Sequence, residues 1–358
     1  MITTFKVGTR TSRLAMRQTE LVIGMLRAHA PGVEFQVVPI VTQGDRDRTS
    51  SLHVIGGKGV FVKEIERELE DGTIDFAAHS LKDVQPQLPE GLTIGCTPVR
   101  DSPFDCLIGP EPLRSISDLP AGARVGTNSQ RRQAQLLHLR PDLEIVPIRG
   151  NIDTRIRKIA TEHLDAIVLA EAGLNRLEPD TTGLHRLSLR NVLLPAAGQG
   201  AMAVECRADD ETTRELLARI DDAPTREAVT LERGFMRAIG GNCTLPIGAY
   251  ARRTPQTPQT PRTPLHDVSE HPTASTDGRA VSGTTGAPLT LDAMVATPDG
   301  SRVYRATATA AATESTAGHA VEMVIGATDG TATQRTGTAP EELIASVIRD
   351  LHSAGSPL

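Results

Sequence analysis

Two stretches of this chain, "VGTRTSR" at 7–13 and "VGTNSQR" at 125–131, follow one plan: a β-branched residue, a glycine, hydroxyl residues and a basic helix start. Such a plan ends a strand, turns tightly and caps a helix, so it commits the chain to strand–helix units. The surroundings keep the rhythm. "TFKVGT" (4–9) reads as a strand, and Thr11 or Ser12 caps a helix with Leu14, Leu21, Val22 and Met25 on one face. "VEFQVVPIV" (33–41) is strand-like, a helix after "GGKG" (56–59) aligns Phe61, Ile65 and Leu69, and "TIDFAAHS" (73–80) is a strand again. Beyond residue 100 the pattern restarts. "ARVGTNSQRRQAQLLHL" gives strand, turn, a Ser cap and helix; "LEIVPIRGNIDTRIRKI" and "DAIVLAEAGLNRL" repeat it. This alternation predicts an α/β fold of two doubly wound lobes with mainly parallel sheets. The shared Val-Gly-Thr points to lobes of similar build.

The texture changes near residue 210. Two helical stretches (211–220 and 224–238) lead to the strand "PIGAYA" (246–251), a hairpin turning at Pro298-Asp299-Gly300, and the amphipathic helix "PEELIASVIRDLH" (340–352). A small α+β third domain is the expectation. Residues 252–286, rich in Pro, Thr, Ser and Gly without an apolar period, read as a disordered insertion. A second Ala/Thr-rich stretch runs over 305–338.

Composition narrows the classes further. With no Trp, two Tyr and six Phe, the cores must be aliphatic. The start carries no apolar leader and no stretch reaches membrane-span length, so a soluble cytoplasmic protein is expected. Cys96, Cys106, Cys206 and Cys243 are scattered without paired spacing, which reads as reduced thiols. Ten His show no ligand-like spacing, which argues against a metal. "GGKG" is not a Walker loop and no G-x-G-x-x-G follows a strand, so nucleotide binding loses its usual support. The net charge of −6 argues against a general nucleic-acid binder.

The cations nevertheless gather where an open α/β sheet binds ligands, at strand C-termini. Arg10, Lys82, Arg131, Arg132, Arg149, Arg155 and Arg176 fall there, Lys58 lies in "GGKG", and Ser12, Ser80, Thr127 and Ser129 add hydroxyls. Of 38 Lys+Arg only five are Lys, leaving 33 Arg, so the lysines in special loops carry interest. Arginine suits bidentate capture of carboxylate or phosphate; the plainer reading is solvated helix faces. Asp83, next to Lys82, is either a helix-capping acid or a carboxylate that steadies positive charge and moves a proton. Cys243, in "RAIGGNCTLPIGAY" (237–250), reads as an inert thiol, a nucleophile or a covalent tether, and its Gly-Gly-Asn setting favours the last two.

Eight ordered motifs resemble porphobilinogen deaminases, the hydroxymethylbilane synthases of tetrapyrrole and haem biosynthesis: "GTRTSRLA" (8–15), "GGKGVFVKE" (56–64), "HSLKDV" (79–84), "RRQAQL" (131–136), "IRGNIDTR" (148–155), "AGLNRL" (172–177), "PAAGQGA" (195–201) and "NCTLPIGA" (242–249). The resemblance implies two lobes like periplasmic binding proteins, with the chain crossing back to the first near "PAAGQGA". Domain 1 is then 1–99 with 195–216, domain 2 is 100–194 and domain 3 is 217–358. It implies a cytoplasmic monomeric transferase that condenses four porphobilinogen molecules on a dipyrromethane cofactor, bound by a thioether to Cys243, with no metal or nucleotide. It assigns Asp83 to catalysis, and Ser12, Ser80, Lys82, Asp83, Thr127, Ser129, Arg131, Arg132, Arg155 and Gln199 to the cofactor. Arg10, Lys58, Arg149, Arg155 and Arg176 fall to the substrate's carboxylates. No nucleic acid or membrane partner is implied. The rivals are a non-enzymatic two-lobed carboxylate- or phosphate-binding protein, with Cys243 structural, and a cysteine-nucleophile acyltransferase.

Overall fold

The structure, a computed structural model, describes residues 3–42, 62–241, 246–253, 287–310 and 340–356. Lys58, Cys243, residues 254–286 of the expected insertion and residues 311–338 of the Ala/Thr-rich stretch lie outside the described residues. In chain order the elements are β1 (Thr3–Arg10), α1 (Arg13–His29), β2 (Val33–Ile40), α2 (Lys63–Glu70), β3 (Phe76–Ser80), β4 (Leu92–Cys96), β5 (Asp105–Gly109), β6 (Arg124–Gly126), α3 (Gln130–Leu139), β7 (Glu144–Val146), α4 (Ile152–Thr161), β8 (Ala166–Ala170), α5 (Glu171–Leu177), β9 (His185–Ser188), β10 (Met202–Arg207), α6 (Glu211–Ala218), α7 (Ala223–Ala238), β11 (Ile247–Arg253), β12 (Leu289–Ala296), β13 (Val303–Ala310) and α8 (Pro340–Ser353).

Two five-stranded sheets share one plan. The first runs β2-β1-β3-β10-β4 and the second β7-β6-β8-β5-β9. In each, the fourth strand is antiparallel to its neighbours and the others are parallel to one another. The two Val-Gly-Thr motifs occupy equivalent strands, β1 and β6. Both glycines sit under close cover: a Cβ on Gly8 would lie 2.3 Å from Ile74 and one on Gly126 would lie 2.9 Å from Ile167. Each reversed strand follows a crossing between lobes, β5 after the chain leaves the first sheet and β10 after it returns. Helices cover both faces, as the doubly wound α/β expectation requires. In the first lobe Val22 and Leu26 of α1 and Leu216 of α6 pack on one face, and Ile65 and Leu69 of α2 on the other.

Two details differ from the sequence expectation. The buried stripe of α1 is Ala15, Gln18, Thr19, Val22, Ile23 and Leu26, while Leu14, Leu21 and Met25 are only half-buried. Two polar side chains are drawn inward because the helix end abuts the cleft, where Gln18 donates to Ser80 Oγ at 2.9 Å. The cores are also not wholly aliphatic: Phe5, Phe35 and Phe76 form one cluster with centroids 6.2–6.4 Å apart.

The third unit is the antiparallel sheet β11-β12-β13 with α7 and α8 on one face. It touches both lobes: Val229 of α7 packs with Leu81, Val84 and Ala203, and Met294 and Val303 pack with Ala134 of α3. The two crossing segments run side by side between the lobes, with Asp101 N–H donating to Gly200 O at 3.2 Å. Gly200 has a φ of +87°, and a Cβ there would stand 2.5 Å from the Asp101 carbonyl, so only glycine allows the two segments to approach.

Candidate active site

The site is built where strand ends of both lobes meet the crossing segments. β3 ends at Ser80 and passes into a 3-10 turn, Leu81–Asp83. Leu81 is buried, which leaves Lys82 half-buried and Asp83 exposed on the other side of the turn. From the second lobe, the first turn of α3 points Arg131 and Arg132 inward, 4% and 6% exposed. Two arginines so deep need an acid, and β5 supplies it.

Asp105, fully buried, accepts from Arg131 NH2 at 2.8 Å on Oδ2, and from Arg132 NH2 and Nε at 2.7 and 3.1 Å on Oδ1. Arg131 also donates to the Leu194 carbonyl at 2.6 Å and Arg132 to the Val168 carbonyl at 2.9 Å. Gln199, from the returning segment, closes the network. Its Nε2 donates to Asp105 Oδ1 at 2.9 Å and to Pro103 O at 2.8 Å, and its Oε1 accepts from Lys82 Nζ at 3.2 Å.

The electrostatics follow from this crowding. Burial pushes Lys82 down to about 8; Arg132 and Arg131 add to the effect, and Asp83 and Asp105 oppose it. Arg155, in the first turn of α4, is pushed down to about 10 by burial first and then by Arg132 and Arg149, against the pull of Asp83. Burial disfavours the Asp105 charge too, but the two guanidiniums outweigh it and hold the carboxyl well below the usual range. Among the described residues, Lys82, Arg131, Arg132 and Arg155 thus face the acids Asp83 and Asp105, one of them consumed internally. Counted over the described residues, the cleft keeps a surplus of positive charge.

Lys82, Asp83, Arg131, Arg132, Arg149, Arg155 and Gln199 therefore share one site. Other candidates have work elsewhere. Ser12 caps α1 by accepting from Ala15 N–H, and Ser80 accepts from Gln18. Ser129 takes the cap position of α3 without a side-chain cap bond; its own N–H donates to Thr127 Oγ1 at 3.2 Å. Arg10 closes β1, half-buried. Arg176 is engaged at the crossing, donating to the Gly200 carbonyl and lying 3.9 Å from Asp101. Cys96, Cys106 and Cys206 are buried free thiols, with burial pushing Cys106 up to about 12 and Cys206 up to about 11. Among the described residues no group of His, Cys, Asp and Glu is arranged to hold a metal ion, and no helix is long and apolar enough to cross a membrane.

Asp105, Arg100 and Glu232 escaped the sequence reading. Arg100 donates to the Glu232 carboxylate at 2.7 and 3.1 Å and to the Gln199 carbonyl at 2.9 Å. The signal for Asp105 was a lone acid in the apolar run "FDCLIG" (104–109).

Residues 5–215 match the family model described as porphobilinogen deaminase, dipyromethane cofactor binding domain, and residues 226–259 match the porphobilinogen deaminase C-terminal domain. Curated relatives named porphobilinogen deaminase include one from Limosilactobacillus reuteri, 58% identical over 68% of this chain and 80% of its own. Another, from Brevibacillus brevis, is 45% identical over 85% of this chain and 88% of its own. Among solved structures, a probable amino-acid ABC transporter extracellular-binding protein from Bacillus subtilis aligns over 64% of this chain and 97% of its own, at TM-score 0.36 and 16% identity. The family match spans both lobes and enters the third unit, and with identities of this size it shows that the chain belongs to the porphobilinogen deaminase family.

Proposed function

We propose that the cleft holding Lys82, Asp83, Arg131, Arg132, Arg149 and Arg155 is where this chain performs the reaction of its family. That reaction is hydroxymethylbilane synthesis: a transferase deaminates four porphobilinogen molecules, joins them head to tail and releases linear hydroxymethylbilane by hydrolysis, in haem biosynthesis. The cofactor is dipyrromethane, and when bound it supplies the pyrrole terminus on which the product is extended.

The chemistry of the donor set fits such a group. Pyrroles bearing acetate and propionate arms need several fixed cations, and four converge here with a surplus of charge. In this reading Lys82, Arg131, Arg132 and Arg155 hold carboxylates of the cofactor, with Ser12, Ser80, Thr127, Ser129 and Gln199 around them. Arg10, Arg149, Arg155, Arg176 and Lys58 serve the incoming substrate. Asp83, exposed on a rigid turn beside these cations, steadies positive charge on a pyrrole nitrogen and accepts the proton released as aromaticity returns. Cys243 carries the thioether. The protein acts as a cytoplasmic monomer, without nucleic-acid or membrane partners.

The observation that carries this reading is the convergence of four cations, Arg131 and Arg132 buried and Lys82 and Arg155 half-buried, at one strand-end cleft. The test is intact mass together with turnover. Full-length protein purified from cells should carry an adduct of two pyrrole units, lost in Cys243→Ser, and should consume porphobilinogen. A folded chain that stays unmodified and inert when given porphobilinogen sinks the reading.

A further inference from the structure

Asp105 contributes nothing to the surface of the cleft, yet most of the cluster passes through it. A fully buried carboxylate takes both guanidiniums of a consecutive arginine pair, one on each oxygen, and is tied by Gln199 to the ammonium of Lys82. Stability alone explains this poorly, because buried ion clusters are often no better than apolar side chains of similar volume. Orientation explains it well. Consecutive helix residues point about 100° apart, so two guanidiniums from positions 131 and 132 converge only when a common acceptor draws them together. Each guanidinium also carries more N–H donors than Asp105, Leu194 and Val168 take up, which leaves donors for a ligand.

We propose that Asp105 is a positioning residue for the cofactor's carboxylates: it holds Arg131 and Arg132 side by side and, through Gln199, aims Lys82, so that three cations meet the ligand in fixed register. The proposal rests on the reading that this cluster binds the cofactor. It also ties the charge state of Lys82 to Asp105. The groups acting on Lys82 are Asp83 on its own turn, Arg131 and Arg132 from α3, and Asp105 from β5. Removing the Asp105 charge removes one of the two acids that, among the described residues, favour the protonated ammonium.

The test uses full-length Asp105→Asn, Gln199→Leu and Arg132→Leu, each produced in cells that make porphobilinogen. Three quantities are read: adduct occupancy by intact mass, KM for porphobilinogen, and the alkaline limb of the pH profile of kcat/KM. In the parent that limb is expected where Lys82 loses its proton, a point that burial lowers and that Asp83, Asp105 and the cofactor's carboxylates raise. Folded Asp105→Asn should show adduct occupancy reduced about tenfold, a raised KM, and a limb moved to lower pH by about half a unit or more. Gln199→Leu keeps the Asp105–arginine bonds but releases Lys82, so it should lose less adduct than Asp105→Asn, raise KM and show the same direction of shift. Folded Asp105→Asn with full loading and an unmoved limb overturns the proposal. If Asp105→Asn does not fold, Gln199→Leu with parental KM and limb overturns it instead. Full loading of Arg132→Leu would locate the failure in the underlying reading of the cluster.

Discussion

Asp83 and Lys82 are neighbours in sequence with opposite fates. The turn over 81–83 buries Leu81, lends Lys82 to the internal network and leaves Asp83 outside it. An exposed side chain contributes little to folding, so Asp83→Asn should leave the thermal midpoint unchanged within about a degree. If Asp83 handles the proton, kcat should fall by roughly 100-fold or more, while intact mass still shows the adduct. Parental kcat in the loaded variant would remove Asp83 from the chemistry. Part of this was legible beforehand. Charged residues at strand ends stand out against apolar strands, and the "HSLKDV" turn was found that way. The depth of Arg131 and Arg132 was not, because their acid lies 26 and 27 residues away in sequence. Ser12 and Arg176 show the converse, since position at a strand end does not reveal that a cap or a crossing segment has already engaged a side chain.

At the scale of elements, alternation and capping are local signals, which is why the strands and helices of both lobes could be read off directly. Contacts between elements are not local. Helix α7 illustrates this: Arg233, 6% exposed, donates to the carbonyls of Val84, Gln85 and Pro86 at 3.1, 2.6 and 3.2 Å. The third unit thereby grips the backbone immediately after the Asp83 turn. Arg233→Met leaves the Val84 and Gln85 carbonyls short of a donor, while Pro86 keeps Arg237, and should cost about 1–3 kcal/mol. The accompanying loss of kcat should exceed that in a control substitution of equal thermal cost elsewhere on α7. Helix α2 carries a different signature. Glu66 docks beside the buried His79–Glu205 contact (3.1 Å) and is pushed up to about 7 by burial first and by Glu205 and Glu70, against His79 and Lys63. A carboxyl with a raised folded pKa stabilises most at low pH and loses that contribution as pH rises from about 4.5 through about 7. Glu66→Gln should therefore raise stability above pH 7 by an amount on the order of 1–3 kcal/mol, with little effect below the unfolded value of 4.5. An unchanged dependence of the thermal midpoint on pH would show that Glu66 stays ionised in the folded protein.

Across the whole molecule, the lobes are joined very differently at the crossing and at the outer helices. At the crossing, the fully buried Glu232 of α7 accepts from Arg100 on the outgoing segment, from Gly198 N–H on the returning one at 2.6 Å, and from Ala251 N–H of β11 at 2.8 Å. One carboxylate thus ties the third unit to both crossing segments. On the outer side, Arg13 of α1 meets Asp153 of α4 at 2.8 Å, with side chains 62% and 27% exposed. An exposed pair is worth about 0–1 kcal/mol, whereas breaking a buried one costs about 3–5 kcal/mol. The outer side thus carries the weaker ties, this pair and Arg17 of α1 donating to the Arg176 carbonyl of α5 at 3.3 Å, so any parting of the lobes to admit successive substrates is expected there rather than at the crossing. Glu232→Gln should lower the thermal midpoint by roughly 10 °C, as followed by calorimetry. Asp153→Asn should leave the midpoint within about 2 °C but enlarge the radius of gyration seen by small-angle X-ray scattering as the lobes open. The decisive comparison is between the two: if Asp153→Asn matches Glu232→Gln in thermal cost, or leaves the scattering unchanged, the outer contact is not where the lobes separate.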